Sequence, residues 1–197
     1  MRKLLLASDN PGKIREFQEL LKGLPFEIVT PKKLGIQQAI AEVGKSYAEN
    51  AAIKAQHYVQ ASGLLTLADD SGLEVQALGG LPGIRSARYS PELGASDADR
   101  RKYLLDQLQS HSRPWPARFL CTLALATIDA GVYFTEGECL GEIIPHERGS
   151  NGFGYDPIFL ISDLNRTMAE LTTPEKNRLS HRARAVKKMI PILENIK

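Results

Sequence analysis

The stretch Leu4-Leu5-Leu6-Ala7-Ser8-Asp9-Asn10-Pro11-Gly12-Lys13 decides the fold class. Four consecutive apolar residues are too few for a helix and read as a strand buried on both faces, as parallel strands covered by helices are. Beyond Gly12, the residues Ile14, Phe17, Leu20 and Leu21 recur at helical spacing, which predicts a helix over Lys13 to Leu21. Phe26 to Thr30 then alternates as a second strand closed by Pro31, so the opening is a β-α-β unit. The chain is therefore expected to be α/β, with helices packed on a sheet.

Working outward, Ser46 and Gly63 bracket Tyr47 to Val59, a run of good helix formers with an N-cap and a C-terminal glycine. Leu64 to Ala68 predicts a buried strand ending at Asp69-Asp70-Ser71-Gly72, before a further alternating segment from Leu73 to Leu78. Gly79 to Gly83 reads as a loop, and Ser96-Asp97-Ala98-Asp99 as the capped start of a helix reaching Gln109. Arg118 to Ile128 and Val132 to Ile143 form an expected hairpin around Asp129-Ala130-Gly131. Thr173-Pro174 opens a short helix and Ser180 caps a final one.

A chain of 197 residues fits one domain, and 43 % hydrophobic with 24 % charged residues argues against disorder or a disulfide scaffold. A net charge of +2 announces no stable nucleic-acid partner. The apolar run after Met1-Arg2-Lys3 falls short of a signal-peptide core of about 7–15 residues, and no run approaches the roughly 20 of a spanning helix. The expectation is a cytoplasmic protein without membrane contact, in which Cys121 and Cys139 are small buried residues.

Five groups of residues carry candidate chemistry. Ser8-Asp9-Asn10-Pro11-Gly12-Lys13, between strand and helix, offers backbone N–H groups and a lysine to phosphate oxygens, or is simply a capped helix start. Asp69-Asp70-Ser71-Gly72 supplies carboxylates suited to magnesium, or a turn; neighbours in a strand point to opposite faces, so one Asp is expected at the metal and the other to brace. Glu42 is a second candidate acid. Asn50 and Lys54 share a helix face, so Lys54 can aim at a phosphate that Asn50 helps orient, or the face is simply solvated. Gly152-Phe153-Gly154-Tyr155-Asp156-Pro157 frees the backbone to approach a ligand and offers rings for stacking, or is a buried aromatic turn. Lys176-Asn177-Arg178 and Ser180-His181-Arg182 form a block of donors suited to an anion or a base oxygen, or a basic solvent-facing helix surface.

Taken in order, Ser8-x-Asn10-x-x-Lys13, Glu49-Asn50-Ala51 with Lys54, Ala68-Asp69-Asp70-Ser71-Gly72-Leu73, Gly83-Ile84-x-Ser86-Ala87-Arg88-Tyr89, Gly152-Phe153-Gly154-Tyr155-Asp156-Pro157 and Ser180-His181-Arg182 resemble the inosine/xanthosine triphosphate pyrophosphatase family. The resemblance spans nearly the whole chain. It implies an elongated mixed sheet with flanking helices, one domain of two lobes around a nucleotide-binding cleft, and a homodimer. It implies a magnesium-dependent enzyme that cuts ITP, dITP and XTP to monophosphate and pyrophosphate. The loop from Ser8 to Lys13, with Lys54, would meet the triphosphate; Asp70 would be the catalytic carboxylate and, with Glu42, a metal ligand. Ser71 would touch the substrate. Phe153 would stack on the base, Gly154, Tyr155 and Asp156 would line its pocket, Lys176 would lie against the nucleotide, and His181 with Arg182 would read the base oxygen. Asp9 departs from the pattern, where glycine is common, and is expected to point away from phosphate. The rivals are a related pyrophosphatase of pyrimidine triphosphates and a non-catalytic nucleotide- or RNA-binding module.

Overall fold

The computed structural model describes residues 1–36, 40–129 and 131–196. Strands β1 (Arg2–Ala7), β2 (Phe26–Val29), β3 (Leu65–Val75), β4 (Trp115–Ala126), β5 (Val132–Ile143), β6 (Phe159–Ile161) and β7 (Arg166–Thr167) pair in the order β2-β1-β3-β4-β5-β6-β7. β1 runs parallel to both β2 and β3, with Leu4 opposite Ile28 and Leu65, whereas β6 is antiparallel to β5 and β7. The helices are α1 (Pro11–Leu20), α2 (Tyr47–Ser62), α3 (Asp97–Leu108), α4 (Thr173–Leu179) and α5 (His181–Asn195). The expected α/β class with a mixed sheet and flanking helices is what forms. Among the described residues no helix is long and apolar enough to cross a membrane.

The chain divides into two compact units. The first comprises Met1–Asp70, Cys121–Gly137 and Arg182–Lys197. Its four-residue apolar run is apolar throughout because both faces are covered. Leu4 and Leu6 pack with Phe17 of α1 and with Val186 and Met189 of α5, while Leu5 and Ala7 pack with Ala51, Ala55 and Tyr58 of α2. The second unit, Ser71–Leu120 and Glu138–His181, has its own core, in which Leu104 and Leu108 of α3 join Leu73, Trp115, Phe119, Tyr155 and Phe159. Cys121 and Cys139 are small buried residues, as expected.

The caps behave as the sequence predicts. Ser46 Oγ accepts from Glu49 N at 3.1 Å, Gly63 takes the left-handed conformation with φ 68°, and Ser96 with Asp99 closes a full capping box on α3. α1 starts at Pro11, two residues early, because proline's missing N–H would lack a partner in the first turn anyway. β4 also starts and ends earlier than expected, and Ala130 of the hairpin turn lies outside the described residues.

One expectation is corrected. Asp69 and Asp70 are not at a strand end but in the middle of β3, an unbroken strand of 11 residues. Asp, Ser and Gly favour turns locally. Pairing to β1 and β4, with Leu73 and Val75 anchored in the second core, overrides that preference.

Candidate active site

In the first unit the chemistry gathers around β3. Asn50 of α2 is wholly buried; its Nδ2 donates to Asp70 Oδ2 at 3.0 Å while its Oδ1 accepts from Gly44 N at 2.8 Å. A Cβ on Gly44 would stand 2.6 Å from Asn50 Oδ1, so the close approach of that backbone requires glycine. Asn50 therefore ties the Asp70 carboxylate to the Gly44 backbone. One helical turn on, Lys54 Nζ donates to Glu42 Oε1 at 2.8 Å and to the Asp69 carbonyl at 2.6 Å, and lies 3.6 Å from Asp70 Oδ1. Burial opposes its charge, but Asp70, Glu42 and Asp69 outweigh it and raise the lysine pKa. Asp70 is buried, and burial lifts its carboxyl above the usual range even though Lys54, Lys13 and Asn50 favour the charged form.

Asp69 sits in a different environment. Its carboxylate accepts from Lys13 Nζ, from Arg182 Nε at 3.2 Å and from Cys121 Sγ at 3.1 Å. Arg182 Nη1 reaches Glu16 Oε2 at 2.5 Å, so two carboxylates and two cations form a quartet in which only Lys13 is half-buried. Burial alone would raise the Asp69 pKa, yet Lys13, Arg182 and Lys54 hold it well below the carboxylate range. The two neighbouring aspartates thus differ in kind, one firmly ionised and one with the higher proton affinity wanted of a base.

At the head of α1, Asn10 Oδ1 caps the helix by accepting from Lys13 N at 3.0 Å, and Ser8 Oγ accepts from Asn10 N at 3.3 Å. Asp9, Asn10 and Pro11 are exposed, Ser8 and Lys13 half-buried and Gly12 buried.

In the second unit, Asp156 organises the glycine-rich turn. Its Oδ2 accepts from Phe153 N at 2.9 Å and from Lys176 Nζ at 2.5 Å, and that ammonium lies 5.0 Å from the Phe153 ring centroid. Gly152 has φ 78°, and a Cβ there would collide with the Asp156 carboxylate. Tyr155 donates its hydroxyl to Ser86 O at 2.9 Å, and burial raises its pKa. α4 begins on a Thr172–Glu175 capping box that fixes the turn bearing Lys176. His181 is 5 % exposed and stacks on Phe119 with ring centroids 4.8 Å apart. Ser71 is half-buried in β3.

A profile of the Ham1 family matches residues 4–192. The chain belongs to the Ham1 family. It is 48 % identical over 188 residues to the dITP/XTP pyrophosphatase of Methylococcus capsulatus, covering 93 % of this chain and 92 % of that protein. Against the dITP/XTP pyrophosphatase of Bacillus subtilis it is 40 % identical over 194 residues, with 98 % of each covered. The solved HAM1 protein from Coxiella burnetii superposes with a TM-score of 0.89 at 39 % identity over the full length of both chains.

Within this Ham1-family chain the structure brings Lys13, Glu42, Lys54 and Asp70 into one network with Asp69, and Phe153, Asp156 and Lys176 into another. Arg182, the residue after His181, packs inside the first unit. It is 1 % exposed, with its guanidinium on Asp69 and Glu16, because a buried arginine needs carboxylate partners. Glu16 escaped sequence reading although a hint existed: it stands four residues before Leu20, on the apolar side of α1. For a metal, no three His, Cys, Asp or Glu side chains gather into a cage among the described residues. Glu42 and Asp70 nevertheless flank the single Lys54 ammonium, and two carboxylates with substrate oxygens are the hard-oxygen set that magnesium favours.

Proposed function

We propose that this Ham1-family chain hydrolyses purine nucleoside triphosphates with altered bases (ITP, dITP and XTP) at the α-phosphorus, giving monophosphate and pyrophosphate. The observation that carries this reading is the cluster on β3, where Asp70 is held by Asn50 beside the Lys54–Glu42 pair while its neighbour Asp69 is bound by Lys13 and Arg182. The dITP/XTP pyrophosphatase names of its relatives supply the substrate class.

In this proposal Asp70 accepts the proton of the attacking water while Asn50 fixes its orientation. Lys54 and Lys13 offset phosphate charge, and the segment from Ser8 to Gly12, at the head of α1, presents backbone N–H groups to the triphosphate. Magnesium, held by Asp70 and Glu42, would supply further charge neutralisation at the leaving pyrophosphate. Phe153 stacks on the base, Gly154, Tyr155 and Asp156 shape its surroundings, Lys176 lies against the nucleotide, and His181 reads the 6-oxo group. We assign Arg182 to holding Asp69 in place. A 6-oxo purine accepts at position 6 and donates at N1, whereas adenine reverses both. The homodimer and the two lobes implied by the resemblance, and the single domain and cytoplasmic location expected from the sequence, belong to the same proposal.

The test is incubation of purified protein and magnesium with ITP, XTP, dITP, GTP, ATP and TTP, separating monophosphate plus pyrophosphate from diphosphate plus phosphate. ITP and XTP are expected to give monophosphate, and ATP to be rejected by roughly 10⁴-fold, the factor a mismatched polar site supplies. Preference for TTP would overturn the base assignment in favour of the pyrimidine rival. Glu42→Gln is expected to raise the magnesium concentration for half-maximal rate by about tenfold or more, read from metal titrations of the rate. An unchanged titration would remove Glu42 from the metal site.

A further inference from the structure

We infer that Asp97 and Arg101 of α3 are positioning residues for base selection, acting through the Gly154 peptide on Phe153; the inference rests on the proposed base-stacking role of that ring. Helix α3 was legible only as a capped helix, yet its first turns do more than start it. Asp97 Oδ2 accepts from Gly154 N at 2.7 Å, and Arg101 Nη1 donates to Gly154 O at 2.8 Å. Both polar groups of one residue are thus held by side chains four apart on one helix face.

Each of the two clamping groups is itself braced. Arg101 also makes a two-pronged pair with Glu147, at 2.8 and 3.0 Å, and Asp97 pairs with Arg100, whose Nη1 donates to Ala95 O at 2.6 Å. The clamp matters because Phe153 lies between two glycines in left-handed conformations, Gly152 with φ 78° and Gly154 with φ 61°. Glycine on both sides leaves the backbone free to swing. Asp156 holds the turn from one side through Phe153 N at 2.9 Å, and α3 holds it from the other. Fixing a stacking ring before the ligand arrives removes an ordering cost from binding, and that gain is confined to the part of the ligand bearing the base.

The test is calorimetric binding of inosine monophosphate and of pyrophosphate to wild type, Arg101→Met and Asp97→Ala. Arg101→Met keeps the stem and removes the donors, and stands alone should Asp97→Ala fold poorly. Both variants are expected to bind inosine monophosphate about tenfold more weakly, the scale of a compromised base–aromatic stack, and pyrophosphate as wild type does. In steady-state hydrolysis of ITP the same variants are expected to raise KM with kcat little changed. Equal weakening of both ligands would make α3 merely structural and overturn the inference. Wild-type affinity for inosine monophosphate in both variants, with ITP hydrolysis intact, would overturn the clamp alone. A wild type that binds neither ligand would overturn the clamp together with the base-stacking reading beneath it.

Discussion

Asp70→Asn is expected to lower ITP turnover on the order of 10²–10⁴-fold while nucleotide binding stays measurable. The substitution keeps the oxygen that accepts from Asn50 Nδ2 and removes the charge that faces Lys54. Lys54 retains Glu42 and the Asp69 carbonyl, so the phosphate-facing cation stays in place. Stability should move the other way. Burial raises the folded-state pKa of Asp70, and a group so raised contributes stability below its unfolded pKa and loses it as pH rises through the folded one. At neutral pH, in metal-free buffer, the ionised carboxylate is therefore a cost, and the Asn variant is expected to melt at the same temperature or higher. Unchanged turnover would take Asp70 out of the chemistry, and a variant that lost turnover by melting early would make it structural.

Asp69→Asn is expected to do the opposite, destabilising the fold by about 3–5 kcal/mol in denaturant unfolding at pH 7, because it leaves the buried Arg182 and the half-buried Lys13 with one carboxylate fewer. The pH dependence has a definite sign. The folded pKa of Asp69 is depressed, so its contribution is present above the unfolded value of about 4 and is lost as pH falls toward the folded one. The gap between wild type and variant should accordingly hold from neutral pH down to about 4 and narrow below it. A loss under about 1 kcal/mol, or a gap that widens in acid, would show that the quartet is not an anchor.

Local chemistry was the legible part of this molecule. Ser46, Gly63 and the Ser96–Asp99 box signal helix ends through bonds spanning three or four residues, and the structure places them there. The same local reasoning misplaced Asp69 and Asp70, since Asp-Ser-Gly turn preference was overridden by pairing with strands remote in sequence. The face shared by Asn50 and Lys54 was readable from helix spacing; that both meet Asp70 was not, because 20 residues separate Asn50 from that carboxylate. Least legible was Arg182, whose donor-rich neighbourhood suggested a ligand. Its partners Asp69 and Glu16 lie 113 and 166 residues away, and no pattern in the sequence couples them.

Those separations also set an order on the birth of the protein. Translation proceeds at about 5–20 residues per second, so Asp69 emerges on the order of ten seconds before the arginine that neutralises it. During that interval the nascent chain holds a carboxylate destined for the interior with its guanidinium still unmade. The strand that bears it cannot be sealed until α5 arrives. The core of the first unit is thus closed by α5, while the second unit has received all of its residues by His181, before the Arg182–Lys197 segment of the first emerges.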